Sequence, residues 1–310
     1  MNNFLLFAVV NLTLVLFLSP LYISVIKKVK AIIQGRRGPS IIQSHRNIFK
    51  LLKKESLYSH NSSFIMRVAP YIDFTGSLLL SLFVPLVFIP NNSNVFGNII
   101  LFLYILMLGK FVIALSGLDA GSTFGGMGSS REMSLSAIIE PTIIVVFAAV
   151  VFSFDSINFF EIIKSSLLSQ NHIFLWLLLI PFIIIFITES SRIPVDNPET
   201  HLELTMIHEA MILEQSGKNL ALIEWSSAIK QLLLIGIIVN IFIPIGISTS
   251  MNILALSIAA IIFFVKSLLF AIGIGIFESN IAKLRFFRIP NLFAISYFLS
   301  FITILIEVLL

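Results

Sequence analysis

Eight stretches of mostly apolar residues punctuate the chain, at 4–26, 68–90, 99–118, 133–154, 173–188, 227–248, 251–272 and 290–310. A helix needs about 20 such residues to cross a bilayer core of about 30 Å. Lipid offers the backbone no hydrogen-bond partners, so segments of this kind cross as helices. The pattern predicts an all-α integral membrane protein of about eight transmembrane helices, forming a single membrane domain over 1–310 without internal repeats.

The connections between these stretches differ sharply in charge. Residues 27–67, 119–132, 189–226 and 273–289 carry 10, 1, 2 and 3 of the 20 Lys and Arg residues, whereas the connections on the other side contribute Lys164 alone. Basic residues favour the cytoplasmic side. The bias predicts that both termini lie outside and that the long loops lie inside: a basic loop at 27–67 and a charged loop at 189–226. Composition agrees, with 57% hydrophobic residues, a mean hydropathy of +1.02 and 12% charged residues, against about 25% charged in soluble domains. The net charge of +4 does not indicate nucleic-acid binding, because the basic run directly abuts a span and reads as a topology signal. The first stretch lacks a basic leader and is too long for a signal-peptide core. With no Cys, the chain forms no disulfide and offers no thiolate to an iron–sulfur cluster. Any redox centre is therefore expected in another subunit.

Within the apolar stretches lie Asp73, Lys110, Glu140, Lys230, Lys266 and Glu307, and Asp119, Glu189 and Glu278 sit at span ends. Each charge in a span opposes insertion by about 2.5–3.5 kcal/mol, and such groups commonly mark ion pathways. Near the span ends, Lys266 and Glu307 read more simply as salt-bridged or snorkelling groups. Lys110 and Glu140 lie nearer mid-span. Glu140 precedes Pro141, which removes a backbone donor from its helix.

The most polar connection reads Glu189-Ser-Ser-Arg192-Ile-Pro194-Val-Asp196-Asn197-Pro198-Glu199-Thr-His201-Leu-Glu203. Asn197 before Pro198 predicts a helix start, with the helix running to about Gln215. On such a helix His201 and His208 share one face, and Glu203 and Glu214 another. The two His residues stand two turns apart, too far to share one metal ion, and His208-Glu209-Ala-Met-Ile212 lacks the second His of a zinc-protease motif. Arg192 and Asp196 are placed to pair locally. Gly121 to Ser130 is predicted as a Gly- and Ser-rich loop, with no strand before it and no Gly-Lys-Ser/Thr after it to support a nucleotide site.

Four motifs, taken together, carry a resemblance. They are Gln34-Gly-Arg-Arg-Gly-Pro39 followed by Lys50-Leu-Leu-Lys-Lys-Glu55; Arg131 nine residues before Glu140; Glu189-Ser-Ser-Arg192-Ile-Pro194-Val-Asp196-x-Pro198-Glu199 ahead of Glu203-Leu204; and Glu214-Gln-Ser216-Gly217. The chain resembles the membrane subunit shared by respiratory NADH dehydrogenase and the energy-converting [NiFe] hydrogenases, including formate hydrogenlyase. The stretch from Thr200 to Met211 resembles the hydrogenase branch; Asn47 departs from it, standing where those relatives carry Asp. The resemblance implies a membrane-anchoring and energy-coupling subunit in a bacterial or archaeal cytoplasmic membrane. Its partners would be the hydrogenase large and small subunits, iron–sulfur protein subunits and antiporter-like membrane subunits. The [NiFe] centre and the iron–sulfur clusters would belong to those partners, with no cofactor, metal or catalytic residue in this chain. Ion relay is expected of Glu140, Glu189, Asp196, Glu199, Glu203, Glu214 and Lys110, and partner docking of Arg36, Arg37, Arg131, Arg192, His201 and His208. Two other functions compete: the equivalent subunit of a quinone-reducing complex, and a stand-alone ion transporter.

Overall fold

A computed structural model describes residues 2–90, 96–168, 173–197, 206–249 and 252–309. Among these residues the regular structure is helical: α1 (Asn2–Ile33), α2 (Gln43–Leu52), α3 (Phe64–Ser81), α4 (Ile99–Asp119), α5 (Thr123–Phe154), α6 (Phe159–Leu168), α7 (Leu179–Glu189), α8 (His208–Ile212), α9 (Gly217–Phe242), α10 (Ile253–Asn280) and α11 (Ile289–Leu309). Short 3₁₀ turns, Ile173–Leu178 and Phe286–Arg288, lead into α7 and α11.

Among the described residues, six helices are long and apolar enough to cross a membrane: α1, α4, α5, α9, α10 and α11 with its leading turn. The other two predicted spans are also helical, but shorter. α3 has 18 residues and carries Arg67 and Asp73. The fifth stretch narrows to Leu175–Glu189, about 22 Å at 1.5 Å per residue.

α9 is the hub. From Ala228 to Phe242 all but Lys230 of its residues are buried, packed by α1, α2, α3 and α7. α9 stops at Phe242, short of the predicted end at 248, and α3 stops at Ser81, short of 90. Beyond those ends two non-helical segments run side by side, 83–90 buried in the bundle and 243–249 largely at its surface. Ile89 N donates to Ser248 O at 3.0 Å, and Ser248 N to Val87 O at 3.0 Å. Non-helical backbone at membrane depth persists where protein satisfies it. Here Asn240 Nδ2 donates to Pro85 O and Leu86 O at 2.9 and 3.1 Å, and Asn11 Nδ2 to Val84 O at 2.8 Å. Lys266, expected to snorkel or to form a salt bridge, instead donates to the Ile243 carbonyl at 2.8 Å. It thus places a cation at the carbonyl end of α9, where the helix dipole favours one.

Pro20 lies within α1 and cannot donate to the Leu16 carbonyl four residues back. Trp225 Nε1 on α9 supplies that bond at 3.2 Å, and a ring nitrogen of His45 on α2 contacts the next carbonyl, Phe17 O, at 2.7 Å.

The predicted loop at 121–130 is mostly helix, because α5 begins at Thr123, with the Ser122 hydroxyl accepting from Gly125 N at 3.1 Å. Its glycines serve close packing. A Cβ on Gly128 would come within 2.8 Å of Ala210 Cβ, and one on Gly117 of α4 within 2.4 Å of Ser129 Oγ.

The four basic connections gather at one end of the bundle. Ser63 N and Met66 N donate to Asp119 Oδ2 at 3.0 and 2.9 Å, Leu57 N donates to Ser216 Oγ at 2.8 Å, Arg131 donates to Met206 O at 2.9 Å, and Leu284 N donates to Pro194 O at 2.9 Å.

Candidate functional site

Just inside the basic end, charges from five helices converge on a cavity of about 40 Å³. Lys110 of α4 reaches Glu189, the last residue of α7, at 2.5 Å, and the glutamate side chain is 2% exposed. Lys230 of α9 bonds Asp73 of α3, and Ser226 Oγ donates to the other Asp73 oxygen at 2.5 Å. Glu132 of α5 and His208 of α8 complete the charged or titratable lining, and Glu140 lies near enough to act electrostatically on Lys110. Gly109 permits this crowding: a Cβ there would fall 2.5 Å from Asp73 Oδ1 and 3.1 Å from Lys230 Nζ.

A second cavity, of about 170 Å³, opens between α1, α2, α8, α9 and α10. Arg192 spans its wall, donating to Glu278 at 3.1 Å and to Gln231 at 3.1 Å. Lys27, Asn47, Glu209 and Glu224 line it as well. Two charged pairs and an arginine network held by a protein this apolar are structurally demanding. Breaking such a pair leaves an uncompensated buried charge and costs about 3–5 kcal/mol.

The local Arg192–Asp196 pair does not form. Arg192 turns to Glu278, while Asp196 binds Lys283 at 2.7 Å and accepts from Ile207 N and His208 N at 3.3 and 3.1 Å. Capture of those two amides by Asp196 starts α8 at His208. Of the helix predicted from Pro198 to about Gln215, residues 198–205 lie outside the described ones; among those described, 206–207 are not helical and the helix runs His208–Ile212. The shared faces expected of His201 with His208 and of Glu203 with Glu214 involve residues outside the described ones.

The residues expected to relay ions are placed unequally. Lys110 and Glu189 meet in the small cavity; Glu140 lies nearby; Asp196 is buried at the loop junction; Glu214 is exposed. Of the residues expected to dock a partner, Arg36 and Arg37 are exposed, whereas Arg131, Arg192 and His208 turn inward to Met206, Glu278 and the cavities. Glu199, His201 and Glu203 lie outside the described residues. The sequence reading placed Asp73 and Lys230 inside spans without joining them, and it missed Gly109, whose position beside Lys110 was the available signal.

Fold and site together define a polytopic membrane protein with ion-paired charges buried beneath one basic end. The NADH dehydrogenase family model matches residues 5–308, and the chain belongs to that family. It is 30% identical to hydrogenase-4 component C of Escherichia coli, over 92% of this chain and 90% of that protein. It is 31% identical to formate hydrogenlyase subunit 4 of the same organism, over 94% of this chain and 96% of that one. NADH-ubiquinone oxidoreductase chain 1 of Triticum aestivum matches at 25% identity, over 70% and 68% of the two chains. Among solved structures, a chain of the archaeal membrane-bound sulfane sulfur reductase shares the fold, with a TM-score of 0.82 at 19% identity, covering 98% of this chain and 99% of that one.

Proposed function

We propose that this chain is the membrane-anchoring and energy-coupling subunit of a membrane-bound [NiFe] hydrogenase complex of the formate hydrogenlyase type. The observation that carries the proposal is the match to two hydrogenase-type membrane subunits across nine tenths of both chains. The respiratory relative matches over about two thirds of its own length. In this reading eight helices cross the cytoplasmic membrane, with the basic end facing the cytoplasm. Exposed Arg36 and Arg37 meet the soluble hydrogenase and iron–sulfur subunits. The Lys110–Glu189 and Lys230–Asp73 pairs respond to charge changes in that module and pass them to H⁺ or Na⁺ movement through antiporter-like neighbours. Paired groups suit this task, because the protonation of each depends on the charge of the other.

The test is to purify the complex by a tag on this chain. Nickel and hydrogen evolution or uptake are expected to co-purify; a pure complex with neither refutes the proposal. Within that complex, Glu189→Gln is expected to abolish ion uptake by membrane vesicles while hydrogen turnover continues. Unchanged uptake removes Glu189 from the relay.

The 170 Å³ cavity favours a second reading, as a quinone-reducing subunit, because it lies between the two loops where a quinone headgroup would enter. Its charged lining is unlike the mostly apolar walls that hold small organic ligands. Quinone reduction by the pure complex, blocked by Asn47→Trp, would establish this reading over the first.

A further inference from the structure

The two cavities share one wall, formed by Ser191, His208, Ile223 and Ser227. Among these four, His208 is the one titratable side chain. We propose that His208 is the proton-carrying joint between the open cavity and the buried ion pairs. The inference rests on the relay reading above and assigns it a route.

The placement is built. α8 is a single short helix, yet its Ala210, Met211 and Ile212 are buried, and the last two pack with Ile113, Ala114 and Ile223. Asp196 holds His208 N at 3.1 Å and is itself tied to Lys283. The His208 backbone is thus held in place, and the residue lines both cavities between two charged surroundings. On the cavity side stand Lys27, Lys30, Arg192, Glu209, Glu224 and Glu278. On the buried side stand Asp73, Lys110, Glu132, Glu189 and Lys230. Among the described residues, nothing else titratable lines both.

Imidazole suits the position because its two ring nitrogens act separately, one donating while the other accepts. A proton reaching the bare ring nitrogen from one cavity forms a new N–H bond. The proton on the opposite nitrogen then leaves to a water or carboxylate of the other cavity, which restores neutral imidazole as the other tautomer. Rotation of the ring resets it. No electron moves, and one proton enters for each that leaves. The open cavity has room for several water molecules at about 30 Å³ each, so the mouth requires no further side chain in contact with the ring.

The experiment uses the whole complex in inside-out membrane vesicles, reading hydrogen turnover and coupled ion uptake together. His208→Ala is expected to lower uptake per hydrogen by roughly a hundredfold, the lower end of general acid–base contributions, with hydrogen turnover retained. Added imidazole is expected to restore uptake. N-methylimidazole fills the same space but cannot pass a proton from one nitrogen to the other, and is expected not to restore it. Full coupling in His208→Ala overturns the proposal. So does failure of imidazole to rescue, and so does equal rescue by both compounds, which marks a space-filling role. Glu189→Gln, run in parallel, separates the two levels. If it remains coupled, the relay reading itself fails; if it is uncoupled while His208→Ala is not, only the assignment to His208 fails.

Discussion

Gly109→Ala is a sharp test of the buried pair geometry. The added methyl would sit 2.5 Å from Asp73 Oδ1, nearly 1 Å inside an ordinary contact, and 3.1 Å from Lys230 Nζ. Either the carboxylate rotates away from Lys230 and Ser226, or α3 and α4 separate along their whole interface. Breaking a buried ion pair costs about 3–5 kcal/mol. Lys230 is 14% exposed toward the cavity and keeps some hydration, so the lower end, about 3 kcal/mol, applies. Replacing Gly by Ala in a helix returns about 1 kcal/mol, which leaves a net loss of about 2 kcal/mol. Gly76 is the matched control. It lies on α3, facing α4, and a Cβ there meets nothing nearer than Ile105 Cγ2 at 3.7 Å. Gly76→Ala should therefore stabilise by up to about 1 kcal/mol. Denaturant titration of the purified protein in detergent, followed by tryptophan fluorescence, measures both. The reasoning is refuted if Gly109→Ala proves as stable as Gly76→Ala.

Two further substitutions probe the helix breaks. Lys266→Met removes the donor to Ile243 O and the charge at the end of α9, and should destabilise by about 1–2 kcal/mol. Hydrogen exchange should quicken at 85–89 and 243–249 and stay unchanged at the basic end; equal quickening at both ends would contradict the local cap. Trp225→Phe should lose about 1 kcal/mol through the Leu16 carbonyl it leaves unpaired. In a Pro20→Ala background, where residue 20 regains its own N–H, the same change should be nearly neutral. Equal losses in the two backgrounds would show that the indole contributes packing rather than the missing bond.

Apolar length was legible in the sequence because lipid imposes it directly, and each of the eight stretches contains a helix. Helix ends were less legible. Apolarity reports depth, not conformation, so Ile243 to Ser248 read as span although the chain there leaves the helix and turns at 245–246. Pro244, and Gly246 at a φ of +84°, were the signals against a helix. The pairing of charges was hidden for a different reason. Asp73 and Lys230 are 157 positions apart, and Lys110 and Glu189 are 79 apart, distances over which spacing carries no information. Arg192 and Asp196 show the converse. Four positions apart, they suggest a local pair, yet loop 273–289 supplies Lys283 to the aspartate and the end of α10 supplies Glu278 to the arginine. Each pair so formed ties two connections of the basic end together, which a local pair would not do.

The distribution of polar groups along α9 limits what this chain does alone. Glu224, Ser226, Ser227 and Lys230 face the cavities or Asp73, and Gln231 binds Arg192. From Leu232 to Val239 every residue is apolar and buried, and polar contacts resume at Asn240. Eight residues of helix span about 12 Å, well beyond a single hydrogen-bond step. Both cavities therefore lie on the basic-end half of α9, and along it they stop at Gln231. Under the proposed function, a relay of this shape would take charge in from that end and hold it at the Asp73–Lys230 pair. Under the proposed function, completing the crossing falls to a neighbouring membrane subunit, and this chain sets when that step occurs.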